Sequence, residues 1–222
     1  REEEWSDASV ITGALNCAAR GTAVEPEFYL TRNNMKGYLK ADASNLYVAW
    51  RFQRNFGDPL KTSGGSEAHD LALSKDDSAE IIVYNPQSNK GLVILVNSGM
   101  CVLDGVYSAT DEAGHSGRKR DIDWDYNWDV KTRVQADAWE GEIAIPFREA
   151  GGEPRAGETW RFNLKRYQPS RMWSSWQLSL TPMGTDTEGF IRFEPGLAVR
   201  FDRFGVVNPA KGGVVLTIRN DG

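Results

Sequence analysis

The chain has 222 residues, 40% hydrophobic and 26% charged, which suits a packed core under a soluble surface. Its formal net charge of −5 is uneven: residues 1–145 carry 15 basic and 23 acidic groups, residues 146–222 carry 11 and 8. The acidic balance argues against duplex nucleic acid as a partner, and no apolar run approaches the ~18 residues of a membrane-spanning helix.

Eight tryptophans, seven tyrosines, nine phenylalanines and 22 glycines, without long helical stripes, favour strands. Residues 27–31 and 36–41 read as a hairpin turning at Arg32-Asn33-Asn34-Met35. Residues 46–53 and 79–84 are strong strands, the second ended by Asn85-Pro86. Residues 92–97 and 100–103 pair across Ser98-Gly99, and residues 131–136 and 139–145 across Asp137-Ala138. A short helical turn is expected at 149–152. In residues 160–167 the alternation is clean. Trp160, Phe162 and Leu164 should face the core, and Arg161, Asn163, Lys165 and Tyr167 a polar surface able to line a concave site. Residues 175–180, 197–201 and 214–218 complete the strand set. Segments 57–75 and 111–127 are polar and long for loops. No linker or repeat divides the chain. The expectation is one domain over residues 1–222, all-β, a mostly antiparallel two-sheet β-sandwich.

Cys17 and Cys101 lack the spacing of a redox or metal motif. Bonded, they would close a long loop and add ~4 kcal/mol in the chain-entropy model. Unbonded, they would be thiols in separate strands. Both readings stand at this point. His69 and His115 are the only histidines and lack metal-ligand spacing. Gly114-His115-Ser116-Gly117 is not a nucleophile elbow. No motif points to catalysis.

Several segments, in order, carry a resemblance. They are Trp5…Ala8…Ile11-Thr12-Gly13, Asp42-Ala43-Ser44-Asn45-Leu46-Tyr47-Val48-Ala49, and Asp77-Ser78-Ala79-Glu80-Ile81. Glu142-Ile143-Ala144-Ile145-Pro146, Trp160-Arg161-Phe162-Asn163-Leu164-Lys165-Arg166 and Ser175-Trp176 follow. Together they resemble the carbohydrate-binding modules of family 9 and the wider group of DOMON-like β-sandwiches. The resemblance implies a non-catalytic glycan-binding module, secreted, periplasmic or at the cell surface, within a longer carbohydrate-active or surface protein. It implies a sugar held between aromatic rings near one end of the sandwich, and often structural calcium.

By position Trp176 matches the loop tryptophan of these modules; Trp173 is the next candidate, and Trp50 or Phe56 the second wall. Pyranose C–H faces stack on such rings while hydroxyls need polar partners. The strand at residues 93–97 departs from the resemblance, being apolar until Asn97, and Lys165 stands where an amide is expected. Lys165, Arg166, Tyr167 and Arg171 would then form a basic rim suited to an acidic or sulfated glycan. Asp121, Asp123 and Asp125 place three carboxylates at alternate positions, a candidate calcium site. Asp70, Asp76 and Asp77 form a weaker acidic cluster. Two other readings compete. One is haem, with Met35, Met100, Met172, Met183 and the histidines as potential axial ligands. The other is a spacer or interaction domain without a ligand, which buried loop tryptophans would favour.

Overall fold

The computed structural model describes residues 2–17, 29–54, 59–66, 73, 76–108, 120–121, 123–168, 173–176, 189–195 and 199–203. Among them a 3-10 turn, Glu2–Trp5, precedes β1 (Ser9–Cys17), β2 (Tyr29–Ala41), β3 (Asn45–Gln53), β4 (Ser78–Asn85) and β5 (Lys90–Asn97). Then come β6 (Val102–Tyr107), β7 (Arg120–Asp121), β8 (Asp129–Val134), β9 (Ala138–Pro146), β10 (Thr159–Tyr167), β11 (Trp173–Ser175), β12 (Gly189–Phe193) and β13 (Val199–Arg203). No helix among the described residues is long and apolar enough to cross a membrane.

Each described strand pairing is antiparallel. The ladder runs β7-β6-β5-β4-β10-β11-β1-β2-β3-β9-β8, with β12 on β10 and β13 on β12. It doubles over at the short β11. Two five-stranded layers, β7-β6-β5-β4-β10 and β1-β2-β3-β9-β8, therefore face each other. This is the expected two-sheet sandwich.

Alternation decides what fills the space between the layers. From the second layer come Leu46, Val48, Trp50 and Phe52 of β3 and Trp139, Ile143 and Ile145 of β9. From the first come Ile81 and Val83 of β4, Ile94 and Val96 of β5, and Trp160, Phe162 and Leu164 of β10. Trp139 meets Trp50 and Phe52 edge to face, with centroids 5.9 and 5.4 Å apart, and Trp50 and Phe52 lie tilted by 33° at 6.3 Å. Gly141 leaves room for this: a Cβ there would lie 2.2 Å from Trp50 Cζ2.

β4 is buried at every position and β5 at every position but its first. The reason is a second apolar cluster on the outer face of this layer, made by Ile82, Tyr84, Val93, Leu95, Leu73, Cys101 and Tyr107. A strand buried on both faces reads as a continuous apolar run rather than an alternation. That accounts for residues 93–96. Cys101 is a buried thiol within this cluster and enters no disulfide.

The hairpin expected at Arg32-Asn33-Asn34-Met35 is not a turn. These residues lie inside the 13-residue β2. The pairing with β1 slips between Thr12 and Ala14, so the Asn-rich stretch marks a register irregularity. The turn falls after Ala41. There Asp42 Oδ1 accepts the amides of Ser44 at 2.7 Å and Asn45 at 2.8 Å, and Oδ2 accepts the Tyr47 hydroxyl at 2.7 Å. Strand β12 was not anticipated, and residues 214–218 lie outside the described residues. The expected 149–152 turn is present as hydrogen-bonded turns after Pro146.

Residues 123–128 close the open side of the sandwich between β7 and β8. The Trp128 indole N–H and the Tyr126 amide donate to the buried carboxylate of Asp104 in β6. Trp124 and Tyr126 stack at 6.2 Å, and Lys90 Nζ lies 5.5 Å from the Trp124 ring.

Candidate functional site

The outer face of β2-β3-β9-β8 is open. Register places Tyr38, Ala49, Glu142 and Lys131 in one row across four strands, and Lys36, Arg51, Glu140 and Arg133 in the next. Ala49 contributes only a methyl group between larger neighbours, and a groove of about 530 Å³ runs over it. Trp5, delivered by the N-terminal 3-10 turn, packs against Tyr38 with centroids 6.2 Å apart and planes tilted by 51°. Both rings are only partly buried. They stand at the groove as an aromatic wall.

The remainder of the lining is charged. Arg51 donates to Glu140 and to Asp137, the latter at 3.0 Å. Glu140 also accepts from Gln135 Nε2. Lys131 Nζ lies 3.8 Å from Glu142. These pairs are solvent-accessible and contribute little stability. Their effect is positional: they hold donors and acceptors side by side along the groove. Aromatic faces beside such an array match a ligand with apolar C–H faces and many hydroxyls.

The residues expected from sequence lie elsewhere. Trp176 is 5% exposed and packs on Phe162 within the core, centroids 5.9 Å apart. No ring face is offered to solvent, which corrects the stacking role expected for it. Trp50 points inward between the layers and is corrected likewise, as the cluster with Phe52 and Trp139 shows. Trp173 lies in β11 opposite Cys17. Arg171 and Phe56 lie outside the described residues, as do Asp70, His69, His115, Met172 and Met183.

The polar rim on β10 is buried. Lys165 is 3% exposed and pairs with Glu80 across the β4–β10 ladder at 3.1 Å. Arg166 straddles the layers, 5.4 Å over the Phe52 ring and donating to the Gln53 carbonyl at 2.6 Å. Tyr167 is buried as well. Asn97 Nδ2 donates to Asp76 and to the Gly64 carbonyl, and Oδ1 accepts the amides of Gly99 and Cys101. It is a structural clasp. The anionic-glycan rim expected from Lys165 and Arg166 therefore does not form.

Asp121, Asp123 and Asp125 are exposed and do not converge. Among the described residues no group of three or more His, Cys, Asp or Glu side chains could hold a metal ion. Met35, one proposed haem ligand, is core filler at 3% exposure.

Asp76 and Asp77 anchor the loop before β4. Asp76 accepts the Ser63 amide, and Asp77 exchanges hydrogen bonds with the Lys61 backbone. Burial raises the Asp77 carboxyl above its usual range, outweighing the Lys61 amide and the charges of Arg166 and Arg54. For a raised carboxylate the linked stability is present below the unfolded value and lost as pH rises through the folded one. Asp77→Asn keeps an acceptor for Lys61 and removes the buried charge. Its stability relative to wild type should be highest at neutral pH and should fall toward that of wild type below about pH 4, as denaturant melts at the two pH values will read.

The strands carrying the groove were legible in the sequence, and strict alternation would have pointed Tyr38, Arg51, Glu140 and Glu142 outward. The meeting of Trp5 with Tyr38 was not, since it joins segments about 30 residues apart through the fold.

No protein-family model matches the chain, and no curated protein matches it in sequence. Solved structures do share its fold. A candidate carbohydrate-binding protein from Bacteroides uniformis superposes with a TM-score of 0.50 at 11% identity, covering 82% of this chain and 87% of the other. A family 9 carbohydrate-binding module from Caldicellulosiruptor kristjanssonii, solved in complex with glucose, gives 0.51 at 18% identity, covering 90% and 86%. The chain has the β-sandwich fold of the family 9 modules that its motifs resemble.

Proposed function

We propose that this chain is a non-catalytic glycan-binding module whose ligand lies in the groove on the outer face of β2-β3-β9-β8. The observation that carries the reading is the partly exposed Trp5–Tyr38 pair beside a row of fixed donors and acceptors. Its shared fold with a module solved with glucose supports the class of ligand. A place in a longer secreted or periplasmic carbohydrate-active or surface protein belongs to the same proposal. The burial of Trp176 favours a second reading, a ligand-free spacer or interaction domain.

A glycan array followed by calorimetry separates the two. Affinity should be modest, roughly micromolar to millimolar, because a few stacked rings offset limited ordering costs. Trp5→Ala should weaken binding by about tenfold, the scale of one aromatic contact, while the melting temperature changes little. Binding that is indifferent to Trp5→Ala places the ligand elsewhere; no binding to any glycan favours the spacer.

A further inference from the structure

Arg133 is the outlying charge of the groove. It lies directly opposite Glu140 in the β8–β9 register, the position from which an ion pair is expected. Glu140 is already engaged, through Oε1 by Arg51 and through Oε2 by Gln135. Arg133 is exposed, lines the groove, and makes no hydrogen bond or ion pair among the described residues. Lys36, three strands away in the same row, is exposed too. Among the charged residues that line the groove, Arg51, Lys131 and Arg133 stand beside Glu140 and Glu142.

A guanidinium is planar and presents paired N–H donors that match a carboxylate. Neighbouring β8 and β9 stand about 4.8 Å apart, and the four strands from β2 to β8 span about 14 Å, the reach of a short oligosaccharide rather than one ring. A ring stacked at Trp5 and Tyr38 leaves a later unit of the same chain near Arg133.

We infer that the groove selects an acidic saccharide, one whose uronic-acid carboxylate is received by Arg133. This rests on the glycan-binding reading and adds the ligand class to it. The test is calorimetry of wild type, Arg133→Gln and Trp5→Ala. The probes are an oligosaccharide of uronic acids and a neutral oligosaccharide of equal length, at low and high salt.

Wild type should bind the acidic chain about tenfold more tightly, the scale of one charge-assisted hydrogen bond. High salt should reduce that preference, because the contact is exposed. Arg133→Gln should abolish the preference, so that the acidic and neutral chains bind with equal affinity. Equal or tighter binding of the neutral chain by wild type overturns the inference. So does an acidic preference that survives Arg133→Gln. Loss on Trp5→Ala without any acidic preference leaves the glycan-binding reading standing and removes only the acidic class. Absence of binding to both chains removes both.

Discussion

Replacing Lys165 by methionine should destabilise the fold by about 3–5 kcal/mol, the scale of breaking a buried ion pair by removing one member. Lys165 and Glu80 are 3% and 5% exposed and lie 3.1 Å apart on the outer face of β4 and β10. Each charge is sheltered from water, so removal of the ammonium takes from the buried carboxylate the cation across the ladder, with Ile82 and Leu95 nearby. The melting temperature should fall on the order of 10 °C for a chain of this size. Glu80→Leu combined with Lys165→Met should recover most of the loss, because both buried charges of the pair are then replaced by apolar groups. Thermal and urea unfolding of the single and double variants measure it. A single variant as stable as wild type would show that the pair is solvated.

Trp176→Ala is expected to act on the fold as well. The indole is wedged against Phe162, and its backbone amide donates to the Leu164 carbonyl at 2.9 Å. Truncation leaves a cavity in the main core and should cost roughly 3–5 kcal/mol. Calorimetric unfolding should show the loss with no ligand present. A variant that melts like wild type but loses sugar binding would instead restore Trp176 to the ligand site.

These two residues show where sequence reading stops. Period-two patterning correctly placed Trp160, Phe162 and Leu164 in the core, because one face of β10 meets the opposite layer. The same pattern sent Lys165 and Tyr167 to a polar surface. It did not register that the outer face of β4, β5 and β10 is itself buried. The signal was present in the unbroken apolar run of residues 92–96, which only a strand with two covered faces needs. Trp176 lies beside a polar serine pair, and sequence neighbours gave no sign that its ring turns inward. Asp121, Asp123 and Asp125 show that alternate carboxylates in sequence need not converge in space.

The groove was half legible. Arg51 and Glu140 lie in strands whose alternation is plain, but their pairing requires the β3–β9 register. The position of Arg133 beside a glutamate already engaged by Arg51 and Gln135 is a property of three strands together, and no local motif encodes it.

The central claim is that ligand meets the outer face of the β2-β3-β9-β8 layer. Backbone amide chemical shifts, followed while an oligosaccharide is titrated into the protein, test it most directly. The account predicts shifts concentrated at Trp5, Tyr38, Ala49, Arg51, Glu140 and Glu142, with β10 unmoved. Shifts confined to β10 and residues 173–176, with β2, β3 and β9 unchanged, would contradict it.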